Sequence, residues 1–453
     1  MDRRSFIKAS GAGLACVGFN GLSSAAARRP NFIVVLCDDL GYGDIRSTGG
    51  RIINTPHLDR MAQEGTVLTD FYAAANLCTP SRAALLTGRY AVRTHLAYQV
   101  IMPGETRGLA QSEITIAEAL KPEYATALIG KWHLGQVPPG WPPTAHGFDL
   151  FYGIPYSHDM LPLALYEIQD KNPPAQEDVD LPQLQQRLYA RAERYIEDNR
   201  AQPFYLELAL TAPHLPSYPH APFAGESAAG AYGDVVEEID SIMGRLLAKL
   251  KSLGLDRDTL VLFTSDNGPW YEGSSGGLRD RKGGAAYDGG YRVPFVAWQP
   301  GTIPAGRRVN SIAMSIDFLP TLCHLAGKPL PAGVVLDGLD ITPILTHGAV
   351  SPHEELVLFD NEDVVAIRTQ KWKYVAADYY RGKLSNIEER GYPQLYDMQA
   401  DPSESYSAAA RHPEVVAEMK ARLNKARQSF ASLKSKDIPE VFKKLGYGTV
   451  RQD

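Results

Sequence analysis

Two neighbouring carboxylates, Asp38 and Asp39, follow directly on the apolar run NFIVVLC (Asn31–Cys37). A third, Asp266, with the amide of Asn267 beside it, follows a second apolar run, TLVLFT (Thr259–Thr264). Adjacent carboxylates out of water repel unless a cation sits between them. Three carboxylates and one amide oxygen, with no added Cys/His set, suit a hard cation, Ca2+ or Mg2+, rather than zinc. Singly, each motif also reads as a solvated acidic loop or an Asp-Asn-Gly turn. The pair, at the ends of two similar runs, points to a metal.

Cys78-Thr79-Pro80-Ser81-Arg82 is a candidate of another kind. Thr79 as cap and Pro80 in the first turn predict a helix starting directly after the cysteine. The positive end of that helix, with the fixed charge of Arg82, would favour an anion and lower the pKa of the thiol. The plainer reading is a capped core helix around a buried thiol. Four further segments carry groups that bind anions or move protons: Lys131 and His133 in GKWHLG, Ser157 in YSHD, His214 in TAPH and Lys282 in RKGG. Lys131 and His133 alternate along a strand end, which would send both side chains to one side of a crevice. A histidine near a strand end is more often a satisfied structural residue than a catalyst. His57 and the pair Trp270-Tyr271 receive no role.

Groups this far apart in sequence need a frame. From Pro30 to about Thr346, β-type apolar runs alternate with helical patterns, the texture of a parallel or mixed sheet covered by helices. The clearest strands are Asn31–Cys37, Ala125–Ile129, Phe204–Leu210, Thr259–Thr264 and Pro294–Trp298. Helices are expected over 55–65, where Pro56 leads and Gly65 stops, and over 181–199, 235–253 and 315–326. A continuous apolar strand is buried on both faces, and ligands in such sheets bind beyond the strands' carboxyl ends, where both acidic motifs lie. After about Ser351 the texture changes to short strands and one helix near Pro413–Ser429. The predicted fold is therefore α/β: a large mixed, mostly parallel sheet flanked by helices over residues 28–350, and a smaller antiparallel sheet plus helix over 351–453.

The 453 residues carry 46 Lys+Arg against 52 Asp+Glu, and 44% are hydrophobic. This is the composition of a folded soluble chain, and its mild acidity gives no support for nucleic-acid binding. Residues 1–27 stand apart: a charged start with paired Arg3-Arg4, a weakly apolar run too short to span a bilayer, then Ala25-Ala26-Ala27. They resemble a twin-arginine export signal, which implies the export machinery as a partner and a periplasmic or secreted bacterial protein. A lipoprotein reading at Cys16 is weaker. Four cysteines in this length form no disulfide framework; Cys37 and Cys323 could pair, but their apolar neighbours favour buried free thiols.

Cys78 through Gly88 reads Cys-x-Pro-Ser-Arg-x-x-x-Leu-Thr-Gly, and this resembles, at every fixed position, the signature of the type I sulfatases in the alkaline phosphatase superfamily. The likeness covers most of Pro30–Asp401, including Gly-Ile-Pro-Tyr-Ser-His-Asp at 153–159 and Leu395-Tyr396-Asp397 with Asp401-Pro402-Ser403-Glu404. It implies an arylsulfatase-like hydrolysis of sulfate monoesters of a small molecule or saccharide. It also implies oxidation of Cys78 to formylglycine by a formylglycine-generating enzyme. By the same resemblance Asp38, Asp39, Asp266, Asn267 and residue 78 hold the metal, and Arg82 and Lys131 neutralise charge. His133 is the base of the elimination step, His214 and Lys282 meet the ester oxygen, and Ser157 binds the sulfate. One departure stands out: the family's acid follows its lysine by five residues, whereas Asp288 follows Lys282 by six, so Arg281 competes for the lysine's place. Two rivals remain at this point, a phosphonate monoester or phosphodiester hydrolase of the same superfamily and a non-catalytic sulfoglycan-binding protein.

Overall fold

A strand that is apolar at every position must be covered on both sides, and alternate residues of Asn31–Asp38 do face opposite cores. Ile33, Val35 and Cys37 pack with the helices Pro56–Glu64, Leu181–Asp198 and Gly230–Ser252. Phe32, Val34 and Leu36 pack with Cys78–Thr87, Ile116–Leu120 and Phe318–Ala326. The computed structural model describes residues 29–169, 174–380 and 383–435. The expected export signal and Cys16 lie outside them.

The sheet has ten strands, ordered Arg307–Val309, Thr66–Leu68, Phe295–Trp298, Thr259–Ser265, Asn31–Asp38, Phe204–Pro213, Ala125–Lys131, Leu150–Ile154, Leu165–Gln169 and Ala175–Glu177. The middle five, from Thr259–Ser265 to Leu150–Ile154, run parallel. Their carboxyl ends therefore share one rim. Val34 sits level with Leu262 on one side and Glu207 on the other. The register slips between Leu36 and Asp38, bringing Asp38 beside Pro213; such an irregularity re-aims a strand end. Gly130, with φ +126°, passes so close to the next strand that a Cβ would lie 1.7 Å from the Ala209 carbonyl oxygen. Only glycine allows that approach one residue before Lys131.

The smaller sheet, Leu356–Asp360, Asp363–Arg368, Trp372–Val375 and Gln394–Asp397, is antiparallel, and Met419, Leu423, Ala426 and Phe430 of the helix Pro413–Phe430 share its core. Tyr72, Tyr287, Tyr291 and Met314 of the larger unit enter the same core. A buried ion cluster crosses the junction: Lys373 Nζ lies 2.7 Å from both Asp288 Oδ1 and Glu404 Oε1, while Asp70 holds Arg368 at 3.0 Å and Arg292 at 3.2 Å. Cys37 and Cys323 are free and sit in cores on opposite faces of the large sheet. Among the described residues no helix is long and apolar enough to cross a membrane.

Two local expectations are corrected. The helix at Cys78 begins on the cysteine itself, with Leu77 as an N-cap that offers no side-chain bond. Thr79 is not a cap; its hydroxyl donates to the His133 carbonyl (3.0 Å) and accepts from the Ile101 N–H (3.0 Å), tying the helix to the segment that carries Lys131 and His133. The long helix expected from Val235 starts five residues earlier, at Gly230.

Candidate active site

Asp38, Asp39, Cys78, Arg82, Lys131, His133, Ser157, His214, Asp266, Asn267 and Lys282 meet in one cleft at the parallel strand ends, and each of the three carboxylates there pairs with a cation. Asp38 Oδ2 meets Lys131 Nζ at 2.6 Å. Asp39 Oδ2 meets Lys282 Nζ at 2.7 Å. Asp266 Oδ2 accepts from Arg82 Nε at 2.9 Å. Lys131 also reaches Ser157 Oγ (2.6 Å), and the Cys78 thiol donates to Asp38 Oδ1 across 3.4 Å. Asn267 Nδ2 donates to Asp39 Oδ1 (2.8 Å). Ligand atoms of Asp38, Asp39, Cys78 and His214 all lie within 4.8 Å of one another. Asp39 (φ 68°) and His133 (φ 59°) adopt left-handed backbone, a strained choice for non-glycine residues that recurs where function fixes a side chain.

Arg281, the competitor of Lys282, turns away: its Nη1 donates to the carbonyls of Trp270 (2.9 Å) and Gly273 (2.6 Å). Asp288 stays out of the cleft as well, in the ion cluster with Lys373 and as acceptor for the Tyr72 hydroxyl at 2.9 Å. Lys282, not Arg281, therefore stands beside Asp39, and Asp288 is a buried acid of the junction between the two sheets.

The electrostatics follow from burial. Burial alone would raise the carboxyl of Asp38, but Lys131, His214, Arg82 and Lys282 hold it well below the usual range. Burial pushes Asp266 up against the opposing pull of Arg82, and the nearby Asp38 adds to the rise. The thiol of Cys78 is also pushed up by burial, more than Lys131 and Lys282 can offset, so the helix end and Arg82 do not make it a thiolate. As a plain thiol this side chain is a poor nucleophile. Burial, with Lys131 and Arg82 nearby, lowers the pKa of His133 and keeps it neutral.

Three buried polar atoms of the cleft have no hydrogen-bond partner: Asn267 Oδ1, Arg82 Nη2 and His133 Nδ1. Arg82 Nη2 is 2.8 Å from Asp266 Oδ2 but outside hydrogen-bond geometry. Buried polar groups are rarely left so, and these are complementary to missing partners. Asn267 Oδ1 is an acceptor of the kind a hard cation takes, next to the cluster of Asp38, Asp39, Cys78 and His214, to which Asp266 does not belong. Arg82 Nη2 is a donor for an anion or hydroxyl. His133 Nε2 is 3.0 Å from the Ile101 carbonyl; a carbonyl only accepts, so Nε2 carries the proton and Nδ1 is a free base. In His214, Nδ1 lies 2.6 Å from the Leu215 carbonyl, leaving Nε2 toward Asp39 Oδ2 at 3.7 Å.

Sequence reasoning assigned nothing to three residues that support these groups. His158, inside an already noted segment, packs edge-on against His214 with centroids 5.5 Å apart, its own Nε2 on the Pro216 carbonyl. Asp44 and Tyr232 brace the turn after Asp39: the Tyr232 hydroxyl donates to Asp44 Oδ2 at 2.5 Å, and the same oxygen accepts from the Gly41 N–H. No spacing rule marks such a tertiary contact.

Comparison with known proteins gives the family. The Sulfatase family profile matches residues 30–328, and the profile described as N-sulphoglucosamine sulphohydrolase, C-terminal, matches residues 279–429. Human arylsulfatase A is 37% identical over 445 residues, covering 87% of each chain. Mouse steryl-sulfatase is 34% identical, with 89% of this chain and 83% of its own covered. A crystal structure of a sulfatase from Pseudoalteromonas sp. superposes with a TM-score of 0.82 at 29% identity, covering 91% of this chain and 92% of that one. With that likeness spanning both sheets and the cleft between its strands, the chain belongs to the type I sulfatases of the alkaline phosphatase superfamily and is a sulfuric ester hydrolase.

Proposed function

We propose that this cleft hydrolyses sulfate monoesters to inorganic sulfate and an alcohol or phenol, using formylglycine made from Cys78 and one divalent cation, Ca2+ or Mg2+. The observation that carries the reading is the pair of unpartnered buried atoms, Asn267 Oδ1 and His133 Nδ1, beside the ion-paired Arg82 guanidinium and around a thiol that burial keeps protonated. Asp38, Asp39, Asp266 and Asn267 would hold the cation, with position 78 adjoining; bound there, it supplies fixed positive charge to an anionic sulfuryl group. Formylglycine, as its hydrate, supplies an attacking hydroxyl and a second one that permits sulfate to leave by elimination.

The chain's own residues account for the rest. Arg82 and Lys131 neutralise charge on the sulfuryl oxygens, and Ser157, fixed by Lys131, donates a hydrogen bond to them. His133 Nδ1 accepts the proton that elimination releases, its orientation fixed by the Ile101 carbonyl. His214, held through Nδ1 by the Leu215 carbonyl, delivers a proton from Nε2 to the leaving oxygen, and Lys282 neutralises charge beside it. Maturation would need a formylglycine-generating enzyme, and the first 27 residues a twin-arginine exporter delivering the protein to the periplasm or beyond. Residues 28–350 would form the catalytic unit and 351–453 a smaller one.

Intact mass of the peptide containing Cys78, isolated from the native host, tests the modification; an unconverted thiol overturns it and favours the non-catalytic reading. Aryl sulfate turnover in parallel with aryl phosphodiester turnover tests the reaction, and a large phosphodiester preference returns the cleft to the rival hydrolase.

A further inference from the structure

Three residues beyond Asn267, two large aromatic side chains stand out of the fold: Trp270 is 44% exposed and Tyr271 71%. Isolated exposed apolar residues need no explanation. These two are neighbours, meet edge to face with centroids 5.0 Å apart and planes at 84°, and sit on a loop held from both sides. Arg281 Nη1 clamps the carbonyls of Trp270 and Gly273, and its guanidinium carbon lies 5.6 Å from the Tyr271 ring centre. The Gly43 N–H donates to the Ser274 carbonyl (2.7 Å), and the Ser274 N–H to Asp44 Oδ1 (2.8 Å). The Lys282 N–H donates to the Pro269 carbonyl (3.1 Å). The loop is thus strapped to the turn after Asp39 on one side and to Lys282 on the other. Three residues of chain place the Trp270 Cα within about 11 Å of the Asn267 Cα.

Resting on the sulfatase reading above, we infer that Trp270 and Tyr271 form a binding platform for the organic part of the ester, and that this part is a saccharide. Two rings at a right angle offer a flat face and an edge, which suit the alternating C–H face and hydroxyl rim of a pyranose. The exposed carboxylate of Glu272 follows immediately and Arg281 lies beneath. A hydroxylated ligand can bond to both, whereas an aryl or hydrocarbon group would desolvate them without partners. Because the loop is fixed before ligand arrives, little ordering remains to oppose binding. The platform selects the alcohol; the sulfuryl group belongs to the cleft.

The test uses the full chain carrying Cys78→Ala, with Ca2+ present, titrated calorimetrically with 4-nitrophenyl sulfate and with a panel of disaccharides bearing one sulfate. At least one disaccharide should bind more tightly than the aryl sulfate. Adding Trp270→Ala or Tyr271→Ala should weaken that disaccharide about tenfold and more than the aryl sulfate, with Trp270→Phe recovering most of the loss. Equal losses for both ligands, no loss, or no disaccharide bound more tightly than the aryl sulfate overturns the platform. Failure to bind either class of sulfate overturns the reading of the cleft itself.

Discussion

Replacing Arg82 with methionine removes the one guanidinium that neutralises Asp266 while keeping much of the volume. Arg82 is 2% exposed; its Nε and Nη2 lie 2.9 and 2.8 Å from Asp266 Oδ2, its Nη1 donates to the Lys131 carbonyl, and Asp38 Oδ1 is 3.6 Å from Nη2. At an effective dielectric constant of ~20, a pair 2.8 Å apart attracts by about 6 kcal/mol. Relief of the arginine's own desolvation offsets part of this, so the net cost of stranding Asp266 is about 3–5 kcal/mol. Urea unfolding of Arg82→Met, followed in chelator so that no divalent ion replaces the lost charge, should show a loss of that size. Fluorescence and circular dichroism must give one transition for the free energies to be comparable. The double variant Arg82→Met/Asp266→Asn removes both charges and should lose at least about 2 kcal/mol less than the sum of the single changes. A single-variant loss under about 1 kcal/mol, or strict additivity, would refute the claim that these charges are a buried, mutually dependent pair.

Three further outcomes are expected. His214→Ala should lower kcat roughly 10²–10⁴-fold on alkyl sulfates and less on 4-nitrophenyl sulfate, whose leaving group needs a proton less; equal losses on both contradict its role as acid. Asn267→Leu removes the unpartnered acceptor, so equilibrium dialysis should show divalent cation affinity reduced at least tenfold; unchanged affinity would take the amide out of the ligand set. Glu207, buried in the central sheet with the Tyr205 hydroxyl on its carboxylate, is pushed up to about 7 by desolvation. Its folded pKa exceeds the unfolded one, so the folded state binds the extra proton and stability falls as pH rises from about 4.5 to 7. Glu207→Gln should therefore flatten that decline and be the more stable protein at pH 8; an unchanged pH profile would show that Glu207 does not titrate there.

Much of this cleft was legible in sequence, for reasons specific to its parts. The strands carrying Asp38 and Asp266 are buried on both faces, so their apolar runs are unbroken and their ends conspicuous. Ala175–Glu177 is exposed throughout, Arg307–Val309 passes from half-buried to exposed to buried, and such three-residue edge strands have no periodicity to read. Lys282 was separable from Arg281 only once the loop closed, because the choice rests on contacts with Asp39 and with Trp270 and Gly273. Thr79 misled for a related reason: threonine before proline is a good cap locally, but here tertiary bonds to His133 and Ile101 claim its hydroxyl. The raised thiol pKa likewise reflects burial, which no local motif reports.

The near-complete burial of Cys78, 1% exposed, sets a deadline on any enzyme that must oxidise it. Asp266 and Lys282 are encoded about two hundred residues downstream. At ribosomal speeds of ~5–20 residues/s they emerge ~10–40 s after the thiol. Within that interval the central strand Thr259–Ser265 has yet to insert, and position 78 is still reachable. If Cys78 is oxidised as proposed, slowing translation between residues 88 and 259 should lengthen the opportunity and hastening collapse should shorten it, so that the fraction of competent molecules would depend on timing as well as on sequence.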